Sequence, residues 1–148
     1  MNRKAQAAME FLMTYGWAIL AAIIAIGVLA YFGVFSPGKY VSGSALVTAP
    51  FYVNAWNVKT TGVTLELQNN GDSTYNVSGV TVTLTSGTGG PCTNDTMIAI
   101  GAGSKEAIFA PCSLTPSTNI KGDIAITYRK EGSTVDLTST GSIAEKVT

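Results

Sequence analysis

Histidine is absent from this 148-residue chain, and only two cysteines, five prolines and two tryptophans occur in it. The first absence removes the side chain most used for general acid–base work near neutral pH and the commonest metal ligand. Two thiolates without an imidazole do not make an ordinary four-ligand zinc site. Charge is equally sparse, at 12% of residues, with nine basic against nine acidic side chains. No basic cluster supplies the counter-charge that a phosphate backbone requires, so nucleic acid is not an expected partner. Gly101-Ala102-Gly103-Ser104-Lys105 lacks the full spacing of a phosphate loop and reads as a turn. Asp72 lies in an Asn/Gly-rich loop without the ligand spacing that calcium needs. No catalytic residue, metal site or cofactor is expected, and an enzyme is not the expected class.

Against this scarcity stands one long uncharged run, from Phe11 through Gly38. As a helix it would span about 42 Å at 1.5 Å per residue, enough to cross a hydrocarbon core of roughly 30 Å. It is too long for the apolar centre of a conventional cleaved secretory signal, so the segment is expected to stay on the protein. Arg3 and Lys4 precede the run and only Lys39 stands close after it. The positive-inside bias therefore puts the N-terminus in the cytoplasm and the chain from residue 40 onward outside. Glu10 stands at the edge of the run, where drawing a carboxylate toward lipid costs roughly a few kcal/mol unless something compensates it. The simpler reading of Glu10 is a carboxylate solvated by headgroups in an ordinary single-pass anchor.

Within the run, Ala18 with Ala22 and Ala21 with Ala25 are small pairs at the spacing that lets helix backbones approach, and Gly16, Gly27 and Gly33 add further small positions. Tyr15, Trp17, Tyr31 and Phe32 suit either interfacial anchors or a helical core. Pro37 disfavours helical geometry at Ser36, and Gly38 loosens the backbone beyond it, so residues 36–44 are expected to form a hinge.

Lys4, Ala5, Gln6, Glu10, Phe11 and Leu12, followed by Thr14-Tyr15-Gly16-Trp17 and the apolar stretch, resemble the start of archaeal type IV pilin-like proteins carrying a class III signal peptide. The resemblance implies that residues 1–5 are a signal removed by a membrane-embedded prepilin peptidase cutting between Ala5 and Gln6. Residues 6–35 would remain as a transmembrane and filament-core helix. It further implies that Glu10 pairs with the freed amine of Gln6 on a neighbouring subunit and sets register, because an unpaired carboxylate in a low-dielectric core is heavily penalised. Members of the family often carry serine two residues after the glutamine; Ala8 stands there in this chain. The implied partners are further copies of the chain in a helical homopolymer, the peptidase, an assembly ATPase and a polytopic membrane platform. The implied location is the cell membrane before assembly and then an extracellular surface filament used for adhesion. The competing expectation is a monomeric binding module, held outside the cell by an uncleaved anchor and contacting the surface layer or a ligand.

The remainder, residues 45–148, is rich in Thr, Ser, Gly and Val and reads as one extracellular β domain. Val63-Thr64-Leu65-Glu66-Leu67-Gln68 and Val80-Thr81-Val82-Thr83-Leu84-Thr85 alternate with the period of half-buried strands, and Asn69-Asn70-Gly71-Asp72-Ser73 between them has turn chemistry. Ile120, Ile124, Ile126 and Tyr128 share one strand face that leads through Lys130-Glu131-Gly132-Ser133 toward Val135 and Leu137, a hairpin pattern. Weaker strands are expected at 45–48, 51–58, 96–100, 105–110 and 142–147. The expected fold is α+β, a long N-terminal hydrophobic helix followed by an antiparallel immunoglobulin-like β-sandwich of seven to nine strands.

Both cysteines, Cys92 and Cys112, fall in the exported part, where a disulfide is expected; the alternative is two unrelated buried thiols. Asn76-Val77-Ser78 and Asn94-Asp95-Thr96 are acceptor patterns for N-linked glycans. Adhesive contacts would rest on Thr/Ser-rich strand faces, on aromatics such as Tyr40, Tyr52 or Tyr75, or on the Cys-bounded loop; the alternative is that these residues pack in the sandwich.

Overall fold

The computed structural model describes residues 2–35 and 43–148, and the chain divides into two compact units, Met1–Tyr40 and Val41–Thr148. The expected hinge at 36–44 lies outside the described residues except for Gly43 and Ser44, and Tyr40 lies outside them too.

In the first unit a single helix, α1, runs from Arg3 to Tyr31. Its Ala, Leu and Ile content favours the helix, and no proline interrupts it. The helix closes one turn before residue 35, the limit suggested by Pro37, because Gly33 stops it first. Gly33 adopts φ 72°, a left-handed conformation open to glycine without steric cost. Its N–H donates to the Ala30 carbonyl at 3.0 Å and the Val34 N–H to the Leu29 carbonyl at 3.1 Å. This is the Schellman pattern, which satisfies carbonyls that the helix end would otherwise leave open.

Among the described residues the second unit contains nine strands: β1 (Ser44–Val47), β2 (Phe51–Lys59), β3 (Gly62–Asn69), β4 (Tyr75–Ser86), β5 (Cys92–Asn94), β6 (Ile98–Ile100), β7 (Lys105–Pro111), β8 (Asn119–Lys130) and β9 (Leu137–Lys146). They form two antiparallel sheets. One has the order β1-β9-β8-β4-β5, with β6 also paired to β4; the other has the order β2-β3-β7. The α+β class therefore holds, with a strand number inside the expected range. The expected segments at 135–137 and 142–147 become one strand, β9, which starts at Leu137 and leaves Val135 exposed in the connection.

Alternation explains the layering. Val63, Leu65 and Leu67 of β3, Val80 and Val82 of β4, and Ile120, Ile124 and Ile126 of β8 join one buried cluster fed by both sheets. Each such side chain contributes roughly 1.5–3 kcal/mol when removed from water. At one end of this core the rings of Phe51, Tyr75 and Tyr128 meet edge to face, with centroids 5.0–5.9 Å apart. Burial, and secondarily the neighbouring Tyr75, push the Tyr128 phenol above its ordinary pKa.

Polar groups tie the sheets together. Trp56 on β2 donates its indole N–H to Glu145 on β9 at 2.8 Å, bridging one sheet to the other. Asn69, wholly buried at the end of β3, donates to the Ser73 and Ile100 carbonyls and accepts the Gly71 N–H, each at 2.8 Å. It thereby pins the connection by which the chain leaves the three-stranded sheet for β4.

Cys92 on β5 is bonded to Cys112, the residue after β7, with the Cα atoms 4.8 Å apart. The disulfide therefore links the edges of the two sheets. The cysteines are 20 residues apart, and closing a loop of that length stabilises the fold by about 3 kcal/mol in the chain-entropy model. A Cys92→Ala/Cys112→Ala variant should lose about that much, read as a lower urea midpoint in detergent with the far-UV spectrum of the folded protein retained. An unchanged midpoint would mean that the remaining sheet contacts already constrain this corner.

Candidate functional site

The residues that bear on function lie first on α1. Its most apolar 18-residue window has a mean hydropathy of 2.2, and no residue of the helix is buried. Leu12, Trp17, Leu20, Ile23 and Tyr31 are all exposed. At roughly 2 kcal/mol for each large side chain, leaving about a dozen of them in water would cost on the order of 20 kcal/mol. That exceeds the stability of a typical domain, so α1 must be covered by lipid or by other protein.

Gln6 and Glu10 are one turn apart on α1 and both are exposed. Among the described residues Glu10 has no ion-pair partner; the ion pair found there joins Arg129 and Asp136. The hydroxyl of Thr14 donates to the Glu10 main-chain carbonyl at 2.9 Å. Phe11 and Tyr15 stack along the same stretch with centroids 4.9 Å apart.

The bond between Ala5 and Gln6 lies in the first turn of α1, which is poorly secured. Asn2 precedes the helix in an extended conformation without a side-chain cap, and no acidic residue occupies the first turn. Arg3 and Lys4 instead place two cations at the positive end of the helix dipole. This turn should fray readily, exposing the peptide bond that a protease would need in extended form.

Gly16 and Gly27 show why the helix is built for contact. A Cβ added at either would meet nothing within 4 Å. Glycine inside a helix costs about 1 kcal/mol relative to alanine, and no neighbour in the described chain requires it at these two places.

On the β domain the structure separates the sequence-selected residues. Cys92 and Asn94 share β5, whereas Asn76 lies on β4 with Ser78, on the face directed away from the core. Tyr75 packs in the aromatic cluster, while Tyr52 is exposed. Thr81, Ala125 and Thr140 align across β4, β8 and β9 in a flat row of small side chains. Phe109, 44% exposed on β7, is a residue that sequence reasoning does not single out. Its signal is the alternation in which Ile108 and Ala110 turn inward while Ala107, Phe109 and Pro111 turn out. The run Gly101–Ser104 closes as a turn, with the Ser104 N–H donating to the Gly101 carbonyl at 3.0 Å. Among the described residues no three His, Cys, Asp or Glu side chains group as metal ligands. No protein-family model and no curated protein matches this chain.

Proposed function

We propose that this protein is the structural subunit of a type IV pilus-like surface filament used for adhesion, and that it catalyses no reaction. A long apolar helix followed by antiparallel sheets is an arrangement of elements like that of pilins. The observation that carries the reading is the uncovered surface of α1, with an unpaired Glu10 and two glycines that no neighbour in the described chain requires. Lipid covers such a helix before assembly, and the helices of other copies cover it afterwards. Cleavage after Ala5 removes Arg3 and Lys4 and frees the amine of Gln6. That amine neutralises Glu10 of a neighbouring copy, and contacts repeated without closure build a filament whose outside is formed by the β domains. The prepilin peptidase, assembly ATPase and membrane platform are the partners this route requires.

The test is peptide mass spectrometry of the N-terminus in two fractions of the native cells, sheared surface material and washed membranes. The expected result is a chain beginning at Gln6 in the sheared fraction. A chain beginning at Met1 and confined to membranes would retire the filament and favour a membrane-anchored binding module.

A further inference from the structure

The two glycan-acceptor patterns are not equivalent once folded. Asn94 is committed at both ends of its amide: Nδ2 donates to the Phe109 carbonyl at 2.6 Å and Oδ1 accepts the Thr96 N–H at 2.8 Å. The first of these bonds ties β5 to β7, two residues from the disulfide at Cys92, and the second closes a local turn at Thr96. A sugar on Nδ2 would have to enter the corner where the two sheets are stapled.

Asn76 is placed differently. Its side chain makes no hydrogen bond among the described residues and, with Ser78, lines an outward-facing cleft of about 180 Å³. Met97 and the ion-paired Arg129 and Asp136 line it as well, Arg129 being the β8 residue paired with Asn76 across the strands. The register of β4 against β8 shifts between Val77 and Gly79, so Ser78 sits on a bulge inside the acceptor pattern itself. A bulge locally breaks the main-chain ladder where a transferase would have to grip the strand, and here the contact to β8 passes to the Ser78 hydroxyl, which donates to the Thr127 carbonyl at 3.3 Å. The cleft provides a thioether surface for the apolar face of a sugar ring, and guanidinium, carboxylate and hydroxyl groups for its hydroxyls.

We infer that this protein carries an N-linked glycan on Asn76 and none on Asn94, with the first sugar seated in the cleft beside Met97 and Arg129. In the transfer, one Nδ2–H bond of Asn76 breaks and an Nδ2–C1 bond to the sugar forms. The donor is an oligosaccharide on a polyprenyl phosphate carrier. Its C1–O bond breaks with the electron pair leaving on the phosphate, and the amide proton passes to a base of the membrane transferase. The inference rests on export of the β domain and not on filament assembly, so a glycosylated chain confined to membranes would leave it standing while removing the filament.

The experiment is site-resolved mass spectrometry of the full-length protein from its own cells. Trypsin leaves both acceptors on one peptide between Lys59 and Lys105, so chymotrypsin after reduction is used to separate them at Tyr75 and Leu84. The expected result is a glycan mass on the peptide containing Asn76 and the unmodified mass on the peptide containing Asn94. Asn76→Gln and Ser78→Ala should each remove the glycan, the second while keeping the asparagine, and Asn94→Gln should retain it. A glycan on Asn94, on both sites or on neither overturns the inference.

Discussion

Replacing Glu10 by alanine should abolish surface filaments while leaving the β domain folded and the protein in the membrane. The carboxylate lies on an exposed face of α1 and has no ion-pair partner among the described residues. If assembly buries it against the Gln6 amine of another copy, its loss strands that amine in an apolar bundle. Breaking one partner of a buried ion pair costs about 3–5 kcal/mol, a factor of roughly a hundred to several thousand in each subunit's association constant. Because every subunit carries the same defect, the critical concentration for assembly rises by that factor and growth stops. Glu10→Gln, which keeps the size and loses the charge, should fail in the same way and so separates charge from packing. The readouts are electron microscopy of the sheared fraction and circular dichroism of the detergent-extracted protein. Normal filaments from the alanine variant would sink the pairing mechanism.

The largest effect expected on stability belongs to Asn69. Its side chain satisfies two carbonyls and one N–H belonging to two different connections, those around Ser73 and Ile100. Its main chain also donates to the Ser104 carbonyl at 3.0 Å and accepts the Gly103 N–H at 2.8 Å, so both loops converge on one residue. Asn69→Ala removes three bonds and leaves their partners beside a buried void. An unsatisfied buried group costs about 1–3 kcal/mol, so the total should reach about 3–5 kcal/mol, more than the disulfide supplies. Thermal unfolding in detergent checks it. A change below about 1 kcal/mol would show that water replaces the amide without loss. Asn69→Asp should fare little better, since it keeps an acceptor for Gly71 but offers no N–H to either carbonyl.

The parts of this fold that could be read directly are those that a local pattern or composition marks, whatever they pair with: the strand expected at 45–48 forms β1 although its partner is β9. The β8–β9 hairpin follows from the inward face of Ile120, Ile124, Ile126 and Tyr128 and from the turn residues after Lys130. The apolar helix follows from composition alone. The features that escaped depend on distant partners. β5 is three residues long, Cys92-Thr93-Asn94, too short for a period to register, and it exists through pairing with β4. β3 and β4 have the same alternation and a turn between them, yet they belong to opposite sheets. Only the burial of Asn69, which no pattern rule assigns to an asparagine, marks the crossing. The same limit governs the site. That Gln6 and Glu10 lie one turn apart follows from the helix, and the roles expected for them come from the resemblance alone, whereas the surroundings of Asn76 and Asn94 depend on Phe109, Met97 and Arg129, residues from other strands and loops.

The staple between Cys92 and Cys112 also has a mechanical meaning. In the filament proposed above, load would run along the subunits, and tension passed from the N-terminal side would enter the β domain at β1. That strand is four residues long and, among the described residues, paired with β9 alone, so its short ladder would be the first to bear force. If the load strips β1 and then pulls out the rest of the domain, the loop between the cysteines, which are 20 positions apart, stays closed. At roughly 3.5 Å per extended residue, that withholds about 70 Å of slack. The bridge thus shortens the distance over which an overloaded subunit can yield, and keeps a compact knot from which the sheets can re-form once the pull is released.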